Sequence, residues 1–145
     1  MATWYETAVR FDKMMENGTV KKVTEKFLVD ALSFTEAEQR TIEKRTPFIS
    51  GEFETRAVRR TSISEIFRPE HDRFYLAKLA FILLDEKSGM EKHTITQILV
   101  GGDNFDDALD ALKEGMKGTM SDWELLSLAE SPILEVYGAE LNVNE

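Results

Sequence analysis

The chain has 145 residues, 42% of them hydrophobic, no cysteine and a formal net charge of −9. That length suits one compact domain, or two small lobes sharing a core, with no need of a metal or disulfide staple. The missing cysteine excludes disulfides, thiolate nucleophiles and cysteine-dependent zinc sites, and the negative charge works against non-specific binding to nucleic acid.

The charge is unevenly spread. Residues 1–70 carry 12 Lys and Arg against 12 Asp and Glu, whereas residues 71–145 carry 6 against 15. All the excess acidity therefore lies in the second half, and a locally basic face on the first half stays in play. The opening residues have no charged segment leading into an apolar one, so no signal peptide is expected. The most apolar stretch, residues 76–84, contains Lys78 and is too short to span a bilayer. These features predict a cytoplasmic protein without membrane contact.

Residues 4–15 alternate, with Tyr5, Thr7, Val9 and Phe11 on one side and Glu6, Arg10 and Asp12 on the other, which is the period of a half-buried strand. Asn17-Gly18 then signals a hairpin, and residues 20–31 return with Val23, Phe27, Val29 and Ala31 on one face. A strict two-residue turn would set Val9 against Lys26. A shift of one residue sets Val9 against Phe27 and Thr7 against Val29, so a bulged loop at Gly18 is expected.

Ser33-Phe34-Thr35-Glu36 reads as a capping box that opens a helix, with Thr35 and Glu38 as a competing cap. Pro47 must end the helix by Arg45 or Thr46. One long strand-like region follows over residues 52–67, broken or bulged near Arg60 to Ser62. Residues 73–84 are apolar on both faces and predict a central, covered strand. A turn over residues 85–89 and a return strand over residues 90–100 complete a second hairpin. Asn104 caps a second helix, whose Phe105, Ala108, Leu109, Leu112 and Met116 form the apolar stripe. A last strand over residues 123–137 is interrupted at Pro132.

The order is thus ββαβ twice, and the residues support a duplication. Leu28-Val29 matches Leu99-Val100, and Ser33, Phe34 and Ala37 match Asn104, Phe105 and Ala108, all at an offset of 71. Phe53-Glu54 matches Trp123-Glu124, and residues 62–67 match 132–137, at an offset of 70. The expectation is an α+β fold of two internally duplicated ββαβ units, mostly antiparallel sheet with one helix per unit. The repeats should span about 1–70 and 71–140, form a single domain, and leave a short C-terminal tail.

The segments Thr3-Trp4-Tyr5-Glu6, Val29-Asp30-Ala31-Leu32-Ser33-Phe34-Thr35-Glu36-Ala37-Glu38 and Glu114-Gly115-Met116-Lys117-Gly118-Thr119-Met120 resemble an uncharacterised family of unknown function, numbered 4494. Its members are short proteins found largely in Bacteroidetes and their mobile elements. The resemblance covers nearly the whole chain up to Tyr137 and implies an intracellular bacterial protein. It brings no activity or site residue with it.

Few residue sets suggest chemistry. The two histidines, His71 in a loop between repeats and His93 on a return strand, lack further ligands at metal-binding spacing. No nucleophile elbow is present, and Asp85-Glu86 and Asp106-Asp107 fall at a turn and a helix N-terminus, where solvated carboxylates need no substrate. Gly101-Gly102-Asp103-Asn104 lacks the spacing of a phosphate loop. No catalytic residue, metal or cofactor is expected. The candidate binding residues are Arg56, Arg59 and Arg60 on the third strand, with Arg40 and Lys44 on the first helix, and Arg45 lies nearby in sequence. With Trp4 or another exposed aromatic as a stacking platform, they would make an anion or nucleic-acid surface. Otherwise they are a charged sheet edge or partners for acids of the other half. The expected function is a non-enzymatic binding or assembly module that forms a homo-oligomer or takes a protein partner. A nucleic-acid-associated accessory protein is the alternative, and a small enzyme with an acidic cleft the third reading.

Overall fold

Alternating side chains and two capped helices organise the chain, and a computed structural model describes residues 3–138 of it. In order the elements are β1 (Trp4–Met14), β2 (Val20–Asp30), α1 (Phe34–Arg45), a 3-10 turn (Thr46–Phe48), β3 (Phe53–Arg60), β4 (Ile63–Phe67), β5 (Phe74–Leu84), β6 (Glu91–Gly101), α2 (Phe105–Gly115), β7 (Asp122–Ser131) and β8 (Ile133–Tyr137). The fold is α+β, as the patterning implies. Both helices start at the expected caps. Ser33 Oγ accepts from the Glu36 amide at 3.1 Å, and Asn104 Oδ1 accepts from the Asp107 amide at 2.8 Å. Glu36 reaches back to the amide of Leu32 rather than that of Ser33, at 3.2 Å.

The first hairpin has a different register from the one expected. Val9 faces Glu25, Thr7 faces Phe27 and Tyr5 faces Val29. Compared with the expected pairing, β2 has slid by two residues, which leaves every side chain on its own face, so the alternation could not reveal the error. The loop is bulged at Gly18, whose φ of 85° places it in the left-handed region. Its amide donates to the Met15 carbonyl at 3.0 Å, while the Met15 amide donates to the Thr19 carbonyl at 2.7 Å.

The long third region breaks where expected, between Arg60 and Ile63, into two strands. β3 carries its bulge at Arg56, because Val9 faces Thr55 and Ala8 faces Ala57. It ends before Thr61, and β4 belongs to a different sheet. The last strand divides likewise at Pro132, which cannot donate to a ladder.

Two four-stranded sheets result, with orders β3-β1-β2-β8 and β7-β5-β6-β4. Matching each strand to its counterpart in the other repeat, these are the same order. However, the repeats and the compact units do not coincide. One unit contains the described residues up to Thr61 and those from Pro132 onward, and the other contains Ser62–Ser131. The last strand of each repeat therefore completes the sheet that holds the other repeat's hairpin. β8 pairs in parallel with β2, and β4 pairs in parallel with β6.

Equivalent irregularities confirm the duplication. β1 shifts register between Ala8 and Val9 against β3, and β5 does so between Lys78 and Leu79 against β7. The edge of Tyr5 meets Phe34 with ring centroids 5.2 Å apart, and Tyr75 meets Phe105 in the same way at 6.3 Å.

In the second unit α2 covers a core of Tyr75, Ala77, Leu79, Ile98, Val100, Ala108, Ala111, Leu112 and Met116. Ala111 joins the buried stripe, whereas Leu109 is half-buried and Phe105 is exposed. β5 is central, as its apolar faces suggested, although Leu83 and Leu84 at its far end are exposed. The first unit buries Val9, Phe27, Val29 and Ile49, with Tyr5, Ala31 and Ala37 nearby. Thr41 stands where the second unit has Leu112. Its hydroxyl lies 2.8 Å from that of Thr7 and donates to the Ala37 carbonyl, so this buried polar pair is satisfied.

Candidate functional site

The arginines singled out on the third strand are held by the ladder that positions them. Arg59 lies directly across from Glu6 and donates to its carboxylate at 2.9 Å. Arg56, displaced by the bulge, donates to Glu54 at 3.2 Å. Arg60 lies across from Tyr5, on the face that α1 covers, and is exposed. On α1, Arg40 donates to the Asp30 carbonyl and pairs with Glu36 at 3.3 Å, one turn earlier. Lys44 is exposed, and neither it nor Arg60 makes an ion pair among the described residues. Three of the five are thus engaged by carboxylates of their own unit. Trp4 is only 7% exposed and cannot act as a stacking platform.

What the strand arrangement does create is four sheet edges among the described strands, β8 and β4 forming one in each sheet and β3 and β7 the others. β3 ends one sheet and β7 ends the other, and no strand among the described residues bonds to the outer side of either. The two edges occupy equivalent positions and carry opposite charge. β3 holds Arg56, Arg59 and Arg60 against Glu54, whereas β7 holds Asp122, Glu124 and Glu130 and no base. Each has a bulge at its middle, at Arg56 and Leu126. Trp123, Leu125 and Leu128 of β7 turn inward onto the core, while Glu124 is exposed and Leu126 is 49% exposed. Glu130 is held by a two-pronged contact from Arg73, at 2.8 and 3.1 Å. The contact lowers the pKa of Glu130 and raises that of Arg73 through hydrogen bonding and charge attraction. The first unit is electrically balanced over its described residues, and the second carries 14 acids and 7 bases.

Two side-chain clusters escaped the sequence reading. The first surrounds Arg45, whose side chain is 12% exposed. Its guanidinium lies 4.6 Å from the Phe27 ring centroid and 5.1 Å from that of Phe48. It donates to the Tyr137 hydroxyl at 3.1 Å and to Glu25 at 3.4 Å. Burial, reinforced by Glu135, pushes the Tyr137 phenol up to about 12 despite the cation beside it. The offset of 71 places Arg45 opposite Met116, so a charged side chain here takes the place of a core methionine. That offset was the available signal.

The second cluster joins His71 to Asp103 and Asp107, 32 and 36 residues further along, a separation that ligand spacing could not reveal. His71, Asp103 and Asp107 bring one ligand atom each within 4.8 Å of one another. Gly101 makes this approach feasible, because a Cβ there would stand 2.2 Å from the Arg68 carbonyl oxygen and 2.7 Å from the His71 Cβ. Arg68 itself adopts φ 55°, a left-handed conformation uncommon for a side chain of its size. One imidazole and two carboxylates are ligand types a divalent cation accepts. Asp107, however, already accepts from the Asp103 amide at 2.9 Å and from Arg68 at 3.0 Å, contacts that lower its pKa. The guanidinium and the Asp103 amide share one ligand oxygen, Asp107 Oδ2, and clamp the helix start, whereas the buried His71 Nδ1 has no hydrogen-bond partner among the described residues.

No curated protein and no solved structure gives a significant match to the chain. Residues 3–139 match the family described as Domain of unknown function (DUF4494), and with nearly its whole length covered the chain belongs to that family.

Proposed function

We propose that the protein is a non-enzymatic binding and assembly module that takes up an extended segment of a protein partner along β7. The observation that carries this reading is the ten-residue β7 edge, which pairs with β5 and with no other strand among the described residues, and which is punctuated by a half-exposed leucine. An open edge offers a row of unpaired amides and carbonyls, and main-chain bonding to an added strand supplies affinity. Of the devices that blunt such an edge β7 has a bulge and acidic residues, but neither lysine nor proline. The nucleic-acid reading has less behind it, since Arg40, Arg56 and Arg59 are engaged by carboxylates. We also take the protein to act in the bacterial cytoplasm, a compartment with which its cysteine-free composition agrees. No helix among the described residues is long and apolar enough to cross a membrane.

Affinity capture from native lysate with the full chain as bait, with and without nuclease, tests this reading. The partner should survive nuclease and be lost with Leu126→Lys, which places a charge on the edge without touching the core. Capture that nuclease abolishes, and that Leu126→Lys leaves intact, would refute strand addition and favour the arginines.

A further inference from the structure

The β7 edge has a complement within the same molecule's surface repertoire. We infer that the partner strand for β7 is β3 of a second copy of this chain, added antiparallel, so that copies join head to tail. This rests on the strand-addition reading and names its occupant.

The argument is one of charge, face and register. Two β7 edges would bring together strands of three acids and no base, and two β3 edges strands of three arginines against one acid, so in net charge both self-matched contacts are repulsive, although fully overlapped β3 strands would set Arg59 across from Glu54. The mixed contact is attractive. In the antiparallel register that sets residues 53–60 against 123–130, Arg59 stands across from Glu124, Val58 from Leu125, Thr55 from Leu128 and Arg60 from Trp123. Facing partners must share a side of the joined sheet, and the existing ladders say which side each occupies. Arg60, Val58 and Thr55 lie across from Tyr5, Thr7 and Val9, on the helix-covered face. Trp123, Leu125 and Leu128 lie across from Phe81, Leu79 and Ala77, also on the helix-covered face. Arg59 and Glu124, across from Glu6 and Ala80, occupy the opposite face. Every unbulged position therefore matches, and in this register the bulges at Arg56 and Leu126 fall at adjacent rungs. Arg59 keeps donors to spare beyond its bond to Glu6, because a guanidinium has five. A contact between two different patches leaves one free edge of each kind on every pair, so assembly continues as a filament or closes as a ring.

Charge reversal on the full-length protein tests this, with sedimentation velocity as the readout over a range of protein concentrations and at about 0.05 and 0.5 M salt. The unmodified chain should self-associate, more weakly at high salt. Arg59→Glu and Glu124→Lys should each weaken self-association about tenfold or more, since like charges then face each other across the contact. An equimolar mixture of the two variants should assemble again, because each then meets an opposite charge on its neighbour. Such rescue also demonstrates that both variants are folded. The double variant Arg59→Glu with Glu124→Lys should assemble alone. An unmodified chain that stays monomeric, or association that neither reversal changes, would overturn the inference. If Leu126→Lys still abolishes capture of another protein in that event, strand addition survives and only its occupant is wrong.

Discussion

Leu112→Ala offers the sharpest test of how the second unit is held together. Leu112 is fully buried in the middle of α2, and it shares its core with Tyr75, Leu79, Ile98 and Val100. Truncation removes three carbon groups, worth about 2.4 kcal/mol of transfer free energy at about 0.8 each. The cavity left behind adds to this, since three of the surrounding core residues are the alanines Ala77, Ala108 and Ala111, which cannot extend into the gap. The total should lie between about 3 and 5 kcal/mol, within the range of buried leucine truncations. Urea denaturation followed by the fluorescence of Trp123, which packs against this core, measures the loss. Asp110→Ala on the exposed side of the same helix serves as the control and should change stability by less than about 0.5 kcal/mol. Equal losses in the two variants, or a loss below about 1 kcal/mol for Leu112→Ala, would show that α2 does not bury this face.

Ile133 is 3% exposed and pairs with Lys26 of β2, although by sequence it belongs to the second repeat. Ile133→Ala should therefore reduce amide-exchange protection in β2 more than in β6, and the reverse pattern would contradict the exchanged last strand. Tyr137 supplies a pH test. Its phenol, raised to about 12 from an ordinary value of 10, is held neutral mainly by burial. The unfolded chain ionises first, so the associated stability is present below about pH 10 and is lost between about 10 and 12. Thermal melts across that interval should show the decline, and Tyr137→Phe should flatten it. An unchanged slope in the variant would mean that another group is responsible.

Much of the local structure was legible because it depends on neighbours along the chain. Period-two alternation marked β1 and β2, the side chains of Ser33 and Asn104 announced their helices, and Gly18 marked a bulged turn. Two copies of one pattern, offset by 70 or 71 residues, revealed the duplication. The hairpin register was missed by two residues, since a slip of that size alters pairing without changing which face any side chain occupies. The clusters around Arg45 and His71 were missed because their members meet only across the folded chain.

Only the tertiary structure decided which sheet each repeat completes. Residues 63–67 and 133–137 are alike enough to expose the repeat, and for the same reason neither carries a local preference for its own hairpin over the other. β4 pairs with β6 and β8 with β2, both in parallel. Such pairing needs distant segments to meet, and loop closure and burial govern it rather than propensity. The outer strands are β3 and β8 in one sheet and β7 and β4 in the other, so the arginines readable in the sequence lie on a sheet edge.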